Sequence, residues 1–272
     1  MGNNKFRDKV VLITGASKGI GRTTAFILAN KGAKIVLTGR DEKALYDVQS
    51  RIVNQGGNAV SFIGDITDWK TCKKLVQFSV DHYNDLNIVI NNAGVSMRGN
   101  FSNLEFEVID KVYRTNLIGA TYISAIALPF LRKSKGSLVF VSSIAGIRGL
   151  PYNSIYCASK MGLRGLAESV RIEEYQNDIH VGLIYVGITQ IDKGKTTIGA
   201  NGNHIPLKDR SSRNIMSQEE VAHAIIKNIQ NRKFISTLSS LGKLNLIVQK
   251  FIPKLSEFLL IQNTNKIIIN GR

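Results

Sequence analysis

Cysteine is scarce in this chain, with only Cys72 and Cys157 among 272 residues. The two lie far apart and form no CxxC pair, which argues against a disulfide framework and against a cysteine-based zinc site. The four histidines also lack the spacing of metal ligands such as HExxH, so we expect no metal centre. These absences favour a protein of the reducing cytoplasm.

Long hydrophobic runs are missing as well. No apolar stretch approaches the ~18 residues of a membrane-spanning helix. The first residues, MGNNKFRDKVVLITG, have no cationic region followed by an apolar one, and Phe6 occupies the position where a myristoylation signal has Ser or Thr. We therefore expect no membrane span, no secretion signal and no N-terminal lipidation.

Acidic residues are few, since 20 Asp and Glu stand against 36 Lys and Arg, for a net charge of +16. The cations are dispersed without basic blocks or interleaved aromatic residues, which argues against a nucleic-acid groove. The charge is more lopsided in residues 231–272, where Glu257 is the only acidic residue.

A glycine-rich turn follows the first apolar run, Lys9 to Thr14, and leads into a helical pattern from Arg22 to Lys31. Glycines allow a sharp turn and close approach of a pyrophosphate, and the helix N-terminus supplies unpaired N–H groups. This order favours dinucleotide binding over a plain turn. The predicted contacts are Gly15, Ser17, Lys18, Gly19, Ile20 and Gly21.

The corner after the second predicted strand, Lys34 to Thr38, has Arg40 where NAD-binding proteins usually have an acidic residue. An arginine there, together with Lys18, suits the additional 2′-phosphate of NADP(H). The alternative is that both cations simply face solvent.

Apolar runs and helical patterns continue to alternate, which predicts an α/β protein with a parallel sheet. The long stretch from Glu105 to Leu131 is predicted as helical with Asn116 in its middle, and the polar segment from Val186 to Met216 as a lid or binding loop. A capping box at Ser217 starts a further helix. The remaining predicted strands are Asn58 to Ile63, Leu86 to Ile90, Ser137 to Val141 and His180 to Tyr185.

Tyr156 and Lys160 stand four residues apart on a predicted helix that extends to about Gln176, with Ser143 thirteen residues upstream of Tyr156. Residues four apart share a helix face, so the ammonium can lie beside the phenol. An adjacent cation lowers a phenol's pKa from ~10 by ~1–3 units, which makes Tyr156 a candidate proton donor. The alternative is an ordinary surface pair, and a cofactor site beside it would decide between the two.

The C-terminal stretch carries an amphipathic stripe interrupted by Pro253. It can lie on an anionic membrane surface, frame a lipophilic substrate entrance, or pack on its own core or on another subunit. We therefore divide the chain into a dinucleotide-binding and catalytic domain, 1–230, and a basic amphipathic extension, 231–272. The stripe consists of Leu241, Leu244, Val248, Phe251, Leu255 and Phe258.

Taken together, TGASKGIG, NNAG, Asn116, Ser143 and YCASK resemble the short-chain dehydrogenase/reductase family over about residues 5 to 230. The resemblance implies a single-domain Rossmann-like, doubly wound sheet of about seven parallel strands with helices on both faces. It also implies an NAD(P)-dependent carbonyl/alcohol reaction and a homo-oligomer, either a dimer or a tetramer.

The resemblance assigns roles by position. Tyr156 would protonate the substrate oxygen, Lys160 would assist it and hold the nicotinamide ribose, and Ser143 would bind the substrate oxygen. Asn116 would order a water that links Lys160 to solvent. The further cofactor contacts implied are Asp65 and Ile66 beside the adenine, and Asn92, Ala93, Gly94 and Gly187.

One motif departs from the family pattern. The family usually has Pro-Gly after the sixth strand and a Thr four residues past the Gly, near the nicotinamide amide. This chain has Val186-Gly187, with Ile191 at the Thr position and Thr189 two residues earlier. Either the loop has a different register or backbone groups hold the amide.

These observations predict an NADPH-dependent reductase of a lipophilic ketone such as a steroid or a 3-oxo lipid resembling ketosphinganine. The alternatives are a 3-oxoacyl-carrier-protein reductase, whose acidic partner would suit the basic surface, and a non-catalytic NADP-binding regulatory protein. We expect a cytoplasmic location, with contact to a membrane surface through the extension left open, and no nucleic-acid partner.

Overall fold

The protein is described by a computed structural model that covers residues 5–207 and 215–262. Its strands alternate with helices along most of the chain, as the sequence predicts. The strands are β1 (Val10–Thr14), β2 (Lys34–Gly39), β3 (Asn58–Ile63), β4 (Ile88–Asn91), β5 (Met97–Arg98), β6 (Ser137–Ser143), β7 (His180–Val186), β8 (Thr196–Gly199), β9 (His204–Pro206) and β10 (Ile235–Thr237).

The helices connect and cover these strands. Several begin at side-chain caps; for example, Asp41 accepts a hydrogen bond from the Ala44 N–H, and Ser217 forms the predicted capping box with Glu220. The helices are α1 (Gly19–Asn30), α2 (Glu42–Asn54), α3 (Trp69–Tyr83), α4 (Phe106–Tyr113), α5 (Gly119–Ser134), α6 (Ser154–Glu173), α7 (Gln218–Gln230), α8 (Ser240–Phe251) and α9 (Pro253–Gln262).

The main sheet has seven strands in the order β10-β7-β6-β4-β1-β2-β3, and every neighbouring pair is parallel. Its central strands are buried on both faces, which explains why they read as continuous apolar runs. One face packs against α1, α2 and α7, the other against α3, α5 and α6. The predicted Rossmann-like fold is thus confirmed, and its strand order reverses between β1 and β4, where such sheets bind ligands.

The seventh strand, β10, is an element that the sequence pattern did not reveal. Ile235 and Thr237 pair with Leu183 and Tyr185 of β7 at the edge of the sheet. Three residues are too few to show a strand periodicity. The sheet therefore continues past residue 230, the predicted domain boundary. The division into two domains remains a prediction.

The polar segment from Val186 to Met216 is more regular than the predicted loop. Strands β8 and β9 form an antiparallel hairpin, and β8 also pairs with β5 in a second, three-stranded sheet. The hairpin turn contains Gly202 with φ at +79°, a conformation that glycine adopts without strain. Residues 208–214 of the predicted loop lie outside the described residues.

The predicted helix from Glu105 to Leu131 is interrupted. A π-helical turn, Arg114–Ile118, joins α4 to α5, and it buries Asn116. Such turns insert one extra residue into a helix and occur often at functional sites. The helical periodicity of the sequence does not reveal this insertion because the flanking helices keep their own apolar faces.

The apolar stripe of the C-terminal helices faces outward. Leu244 is 57% exposed, Phe251 70% and Phe258 56%, whereas Leu246 packs partly on the core. Packing of the stripe on the chain's own core, one of the expected alternatives, is therefore not what α8 and α9 show. The side chain of Leu241 and residues 263–272 lie outside the described residues. Within the described ranges, every helix is too short or too polar to cross a bilayer.

Candidate active site

A cavity of about 720 Å³ brings together most of the residues predicted from the sequence. Two predicted residues, Gly21 and Asn116, do not line it and lie behind its wall. The predicted residues that line it are Gly15, Ser17, Lys18, Gly19, Ile20, Arg40, Asp65, Ile66, Asn92, Ala93, Gly94, Ser143, Tyr156, Lys160 and Gly187.

The glycine turn forms one end of the cavity. Gly15 has φ at +65°, and a Cβ there would lie 2.8 Å from the Ala93 Cα, so only glycine fits. A Cβ on Gly21 would overlap the Gly15 oxygen and the Asn92 Nδ2. Helix α1 begins at Gly19, three residues earlier than predicted, so its first N–H groups lie in the turn itself. This close-fitting turn at a helix N-terminus fits the pyrophosphate of a dinucleotide.

The turn is fixed to the end of β4 by side-chain hydrogen bonds. Asn92 Nδ2 donates to the Thr14 and Gly15 carbonyl oxygens at 3.0 and 3.1 Å. The Thr14 Oγ1 in turn accepts from the Asn92 and Ala93 N–H groups, each at 3.0 Å. The two motifs that the sequence suggested separately are therefore one rigid unit at the point where the strand order reverses.

Lys160 lines the cavity but is buried, with 5% of its surface exposed. Its Nζ donates to the Val141 carbonyl at 2.9 Å and lies 6.0 Å from the centre of the Tyr156 ring. Burial away from water, together with the charge of nearby Lys195, lowers the pKa of Lys160 to about 8. The ammonium thus lies on the same side of α6 as the Tyr156 ring, and Lys160 is a buried residue rather than an exposed one.

Tyr156 and Ser143 approach the cavity from different elements. The Tyr156 ring packs on a small apolar cluster that includes Met97 of β5 and Ile198 of β8, so the second sheet supports it. Ser143 ends β6, and its Oγ accepts a hydrogen bond from the Ala145 N–H at 3.2 Å. Because this oxygen acts as acceptor there, its hydroxyl hydrogen can be donated elsewhere.

Asn116 connects the π-helical turn to the strand ends. Its Nδ2 donates to the Val95 carbonyl and to Ser159 Oγ at 2.9 and 3.0 Å, and its Oδ1 accepts from the Val95 N–H at 2.7 Å. A Cβ on Gly94 would lie 3.2 Å from this Oδ1 and 3.3 Å from Lys160 Nζ, so the three groups are neighbours. Both side-chain N–H groups are occupied, which leaves oxygen acceptors for a water.

Arg40 and Asp65 line the cavity just beyond the ends of β2 and β3. Arg40 is 56% exposed, and its Nη1 lies 3.6 Å from Asp65 Oδ2, a loose ion pair. The other Asp65 oxygen accepts from the Thr67 N–H at 2.9 Å, which orients the carboxylate. Lys18 precedes α1 on the same rim. Lys18 and Arg40, the two cations that the sequence predicted to bind a 2′-phosphate, thus both line the cavity.

The motif after β7, which differs from the usual family pattern, also lines the cavity. A Cβ on Gly187 would lie 2.9 Å from the Ser239 Cβ, so this glycine permits the start of α8 to pack against the site. Thr189 lines the cavity, and its Oγ1 donates to the Gly187 carbonyl at 3.2 Å. Ile191 lines it too, so both the threonine and the residue at the motif's usual threonine position face the cavity.

The polar residues that line the cavity without having been identified from the sequence include Asp192, Lys195 and Gln218. Asp192 and Lys195 lie in a segment without regular periodicity. Gln218 reaches the cavity only because α7 packs beside α1, a tertiary contact that no local pattern encodes. The only signal for Asp192 in the sequence is its position shortly after Gly187, the glycine of the motif that follows β7.

Comparison with known proteins gives one family and several relatives. The family described as short chain dehydrogenase matches residues 9–199. An uncharacterized oxidoreductase of Thermotoga maritima is 33% identical over 227 residues, covering 81% of this chain and 90% of the relative. The 11-beta-hydroxysteroid dehydrogenase-like 4A of Arabidopsis thaliana is 33% identical over 231 residues, covering 84% and 75%. The ketoacyl reductase HetN of Nostoc is 29% identical over 225 residues, covering 82% and 76%.

Solved structures give the same picture of the fold. A short chain dehydrogenase/reductase of Burkholderia phymatum, solved in complex with NAD, superposes with a TM-score of 0.82 at 20% identity, covering 93% of this chain and 96% of that one. A metagenomic short-chain oxidoreductase in complex with NADP has a TM-score of 0.71 at 26% identity, covering 86% and 97%.

Proposed function

The chain belongs to the short-chain dehydrogenase family of oxidoreductases, and we propose that it is an NADPH-dependent reductase of a lipophilic ketone, acting reversibly between ketone and secondary alcohol. The observation that carries the proposal is the position of Lys160 Nζ, 6.0 Å from the Tyr156 ring centre in a cavity that also contains the glycine turn. A proton donor and a dinucleotide cradle in one cavity are the two requirements of carbonyl reduction.

The chain's own residues supply the proton and the orientation. Tyr156 donates its phenolic proton to the substrate oxygen, and the Lys160 ammonium favours the phenolate that remains. The Ser143 hydroxyl hydrogen-bonds the same oxygen where negative charge develops. Asn116 Oδ1, next to Lys160, accepts from a water that would return the proton from solvent. The nicotinamide, when bound, supplies the hydride.

Preference for NADP(H) over NAD(H) is supported by the cations at the adenosine end. Arg40 pairs only loosely with Asp65, at 3.6 Å, so its guanidinium can turn to a 2′-phosphate at small cost. Lys18 adds a second positive charge on the same rim. Neither residue offers the carboxylate that would accept hydrogen bonds from the 2′- and 3′-hydroxyls of NAD.

A lipophilic substrate and contact with a membrane surface are supported by the C-terminal helices. Their exposed apolar residues are interspersed with Lys243, Lys250 and Lys254, the composition of a helix that lies on anionic lipid. A Cβ on Gly242 of α8 would lie 2.8 Å from Ile144, which follows Ser143, so the extension packs next to the site. The Arabidopsis relative is named for a hydroxysteroid dehydrogenase. We propose a cytoplasmic enzyme at a membrane surface, assembled as a dimer or tetramer.

A second candidate function is reduction of a 3-oxoacyl group on an acidic carrier protein. The relative HetN is named a ketoacyl reductase, and a net charge of +16 suits an acidic partner. The exposed apolar helices α8 and α9 favour the lipophilic ketone instead. A purely regulatory NADP-binding role would leave the arrangement of Asn116, Ser143 and the tyrosine-lysine pair without a purpose.

The test is a panel of steroids, 3-ketolipids and 3-oxoacyl carriers, read by the loss of NADPH absorbance. We expect turnover of a lipophilic ketone, and a decrease in kcat of ~10²–10⁴-fold for Tyr156→Phe with NADPH binding retained. Preference for the carrier-bound substrate would select the second candidate. Undiminished turnover by Tyr156→Phe would overturn the mechanism.

A further inference from the structure

The carboxylate of Asp192 lies at the N-terminus of α1 and receives three hydrogen bonds. Its Oδ2 accepts from the Gly19 N–H at 2.9 Å. Its Oδ1 accepts from Arg22 Nη2 and from Gln218 Nε2, each at 2.9 Å. One side chain from the segment after β7 thus joins the glycine turn to the start of α7.

Helix α1 provides no such cap from its own sequence. Its N-cap residue, Lys18, makes no side-chain capping bond, and its first turn contains no acidic residue. The acceptor that other helices take from a neighbouring Asp or Ser comes here from a residue 173 positions later. Gly19, Asp192 and Gln218 all line the cavity, so the carboxylate stands on the cavity side of the helix end.

The carboxylate is an anion at the place where a dinucleotide needs to put its pyrophosphate. Helix N-termini bind anions through their free N–H groups and the helix dipole, and Gly19 and Arg22 supply both a donor and a charge. Burial opposes ionisation of Asp192, but the hydrogen bond from Gln218, the charge of Arg22 and the Gly19 N–H outweigh it and lower its pKa. Two anions on one helix end repel each other at close range.

The backbone of the segment after β7 allows this side chain to leave the helix end. The segment is anchored on one side where Gln190 N–H donates to the Met216 carbonyl at 2.8 Å, and on the other where β8 begins at Thr196. Between them lie Ile191–Lys195, here called the clasp segment. Its Gly194 has φ at +76° and open space around it, which permits a change of backbone conformation.

We propose that Asp192 is an internal anion that competes with the cofactor pyrophosphate for the N-terminus of α1, and that binding of the dinucleotide displaces it and releases the clasp segment. Binding of the dinucleotide is thereby coupled to movement of a wall of the active site. This inference rests on the proposed function only in requiring that a nicotinamide dinucleotide binds. A permanent structural cap is the alternative.

The test compares Asp192→Asn, which keeps the size and one acceptor oxygen but removes the charge, with the wild-type protein. Asp178→Asn is the matched control because Asp178 also pairs with an arginine, Arg232, at 2.7 Å, but lies outside the cavity. Dissociation constants of NADPH and NADH are measured by titration calorimetry. We expect Asp192→Asn to bind the dinucleotide roughly four-fold or more tightly, since a like charge near the pyrophosphate is removed, and Asp178→Asn to leave the affinity unchanged.

Two further measurements separate competition from a general effect. The affinity for 2′-AMP, which lacks the pyrophosphate, should be the same in wild type and Asp192→Asn. Amide hydrogen exchange of the clasp segment should rise when the wild-type protein binds the dinucleotide. If Asp192→Asn does not fold, Asp192→Ser is measured in its place.

The outcomes are distinct. Unchanged or weaker dinucleotide binding by the variant, or a clasp segment protected rather than exposed on binding, would show that Asp192 is a permanent cap and overturn the inference while the proposed function stands. Absence of dinucleotide binding by the wild-type protein would overturn both.

Discussion

The Lys160 ammonium lies 6.0 Å from the centre of the Tyr156 ring and has lost almost all contact with water. Burial and the charge of Lys195 lower the pKa of Lys160 to about 8, so a small rise in pH above neutral removes its positive charge. The cation that assists Tyr156 is thus present at neutral pH and is lost as the pH rises through about 8.

Lys195→Ala is expected to move the alkaline limb of kcat/KM for NADPH to higher pH. Removing a neighbouring positive charge raises the pKa of Lys160, and kcat/KM reports groups of the free enzyme. Lys193→Ala is the control, because Lys193 lies on the same segment and lines the same cavity but does not contribute to this shift. The pH profile of each variant is recorded between pH 6 and 10. A limb that stays in place in Lys195→Ala, or moves equally in both variants, contradicts the assignment.

Arg40→Ala is expected to raise the KM for NADPH by roughly ten-fold or more while changing that for NADH little, because only the former has a 2′-phosphate to bind. Lys43→Ala serves as control, since it removes one exposed positive charge from the neighbouring helix outside the cavity. Initial rates with each cofactor give the comparison. Equal increases in KM for the two cofactors would mean that Arg40 does not bind the 2′-phosphate.

Gly146→Ala is expected to lower the free energy of unfolding by about 1–3 kcal/mol and to reduce kcat. A Cβ there would lie 2.5 Å from Ser142 Oγ and 2.8 Å from the Lys160 carbonyl oxygen, so the backbone that carries Lys160 must shift. Gly149→Ala is the matched control, because its Cβ would meet nothing within 4 Å. Urea unfolding and steady-state rates distinguish the two. Similar stability of both variants would disprove the close packing.

Stability should decline as the pH falls below about 6.5, the ordinary pKa of histidine, in part because of His180. Its burial lowers its pKa, and its ring nitrogens contact Ser137 Oγ and the Lys233 carbonyl. Between the lowered pKa and 6.5 the unfolded chain binds more protons than the folded one, so the free energy of unfolding decreases with falling pH.

The comparison that checks this slope uses His180→Asn and, as control, His204→Asn at an exposed position of β9. Urea unfolding is measured between pH 5 and 8. His180→Asn should lose stability overall but show a shallower slope below pH 6.5. A slope identical to that of the wild type would exclude His180 as its source.

The double variant Phe251→Ser/Phe258→Ser is expected to reduce co-sedimentation with anionic liposomes. Burial of each phenylalanine side chain in lipid would contribute ~1.5–3 kcal/mol to the free energy of membrane binding. Phe101→Ser removes an equally exposed phenylalanine outside the extension and is expected to have no effect. Sedimentation of vesicles with and without anionic lipid provides the measurement. If the double variant instead changes only the oligomeric state in solution, the stripe contacts another subunit rather than lipid.

Much of the fold could be predicted because most of its strands and helices have a local sequence pattern of their own. The central strands are apolar without interruption, and α2 and α7 begin at recognisable capping residues. The edge strand β10 was missed because it pairs with β7, which is distant in sequence, and the short hairpin β8-β9 was missed although it is local, because β8 joins a sheet only through the distant β5. Such short strands are stabilised by the sheet they join rather than by local preference.

The residues of the candidate site divide in the same way, into those with a local sequence pattern and those that depend on tertiary packing. Tyr156 and Lys160 were found because their spacing is that of a helix face, and the glycine turn because its backbone conformation requires glycine. Gln218 was missed because only the packing of α7 on α1 brings it to the cavity, and Asp192 because its segment after β7 has no regular periodicity. The burial of Lys160 was not evident either, because residue identity does not report the loss of water around a side chain.

The strand order of the main sheet also bears on how the chain can assemble while it is being synthesised. After β1, each new strand of the sheet adds to an existing edge: β2 and β3 on one side, then β4, β6, β7 and β10 on the other. No strand is inserted between two that are already paired. The sheet can therefore grow outward in the order in which the ribosome delivers its strands, and no completed pair has to open before the last one, Ile235–Thr237, closes the edge.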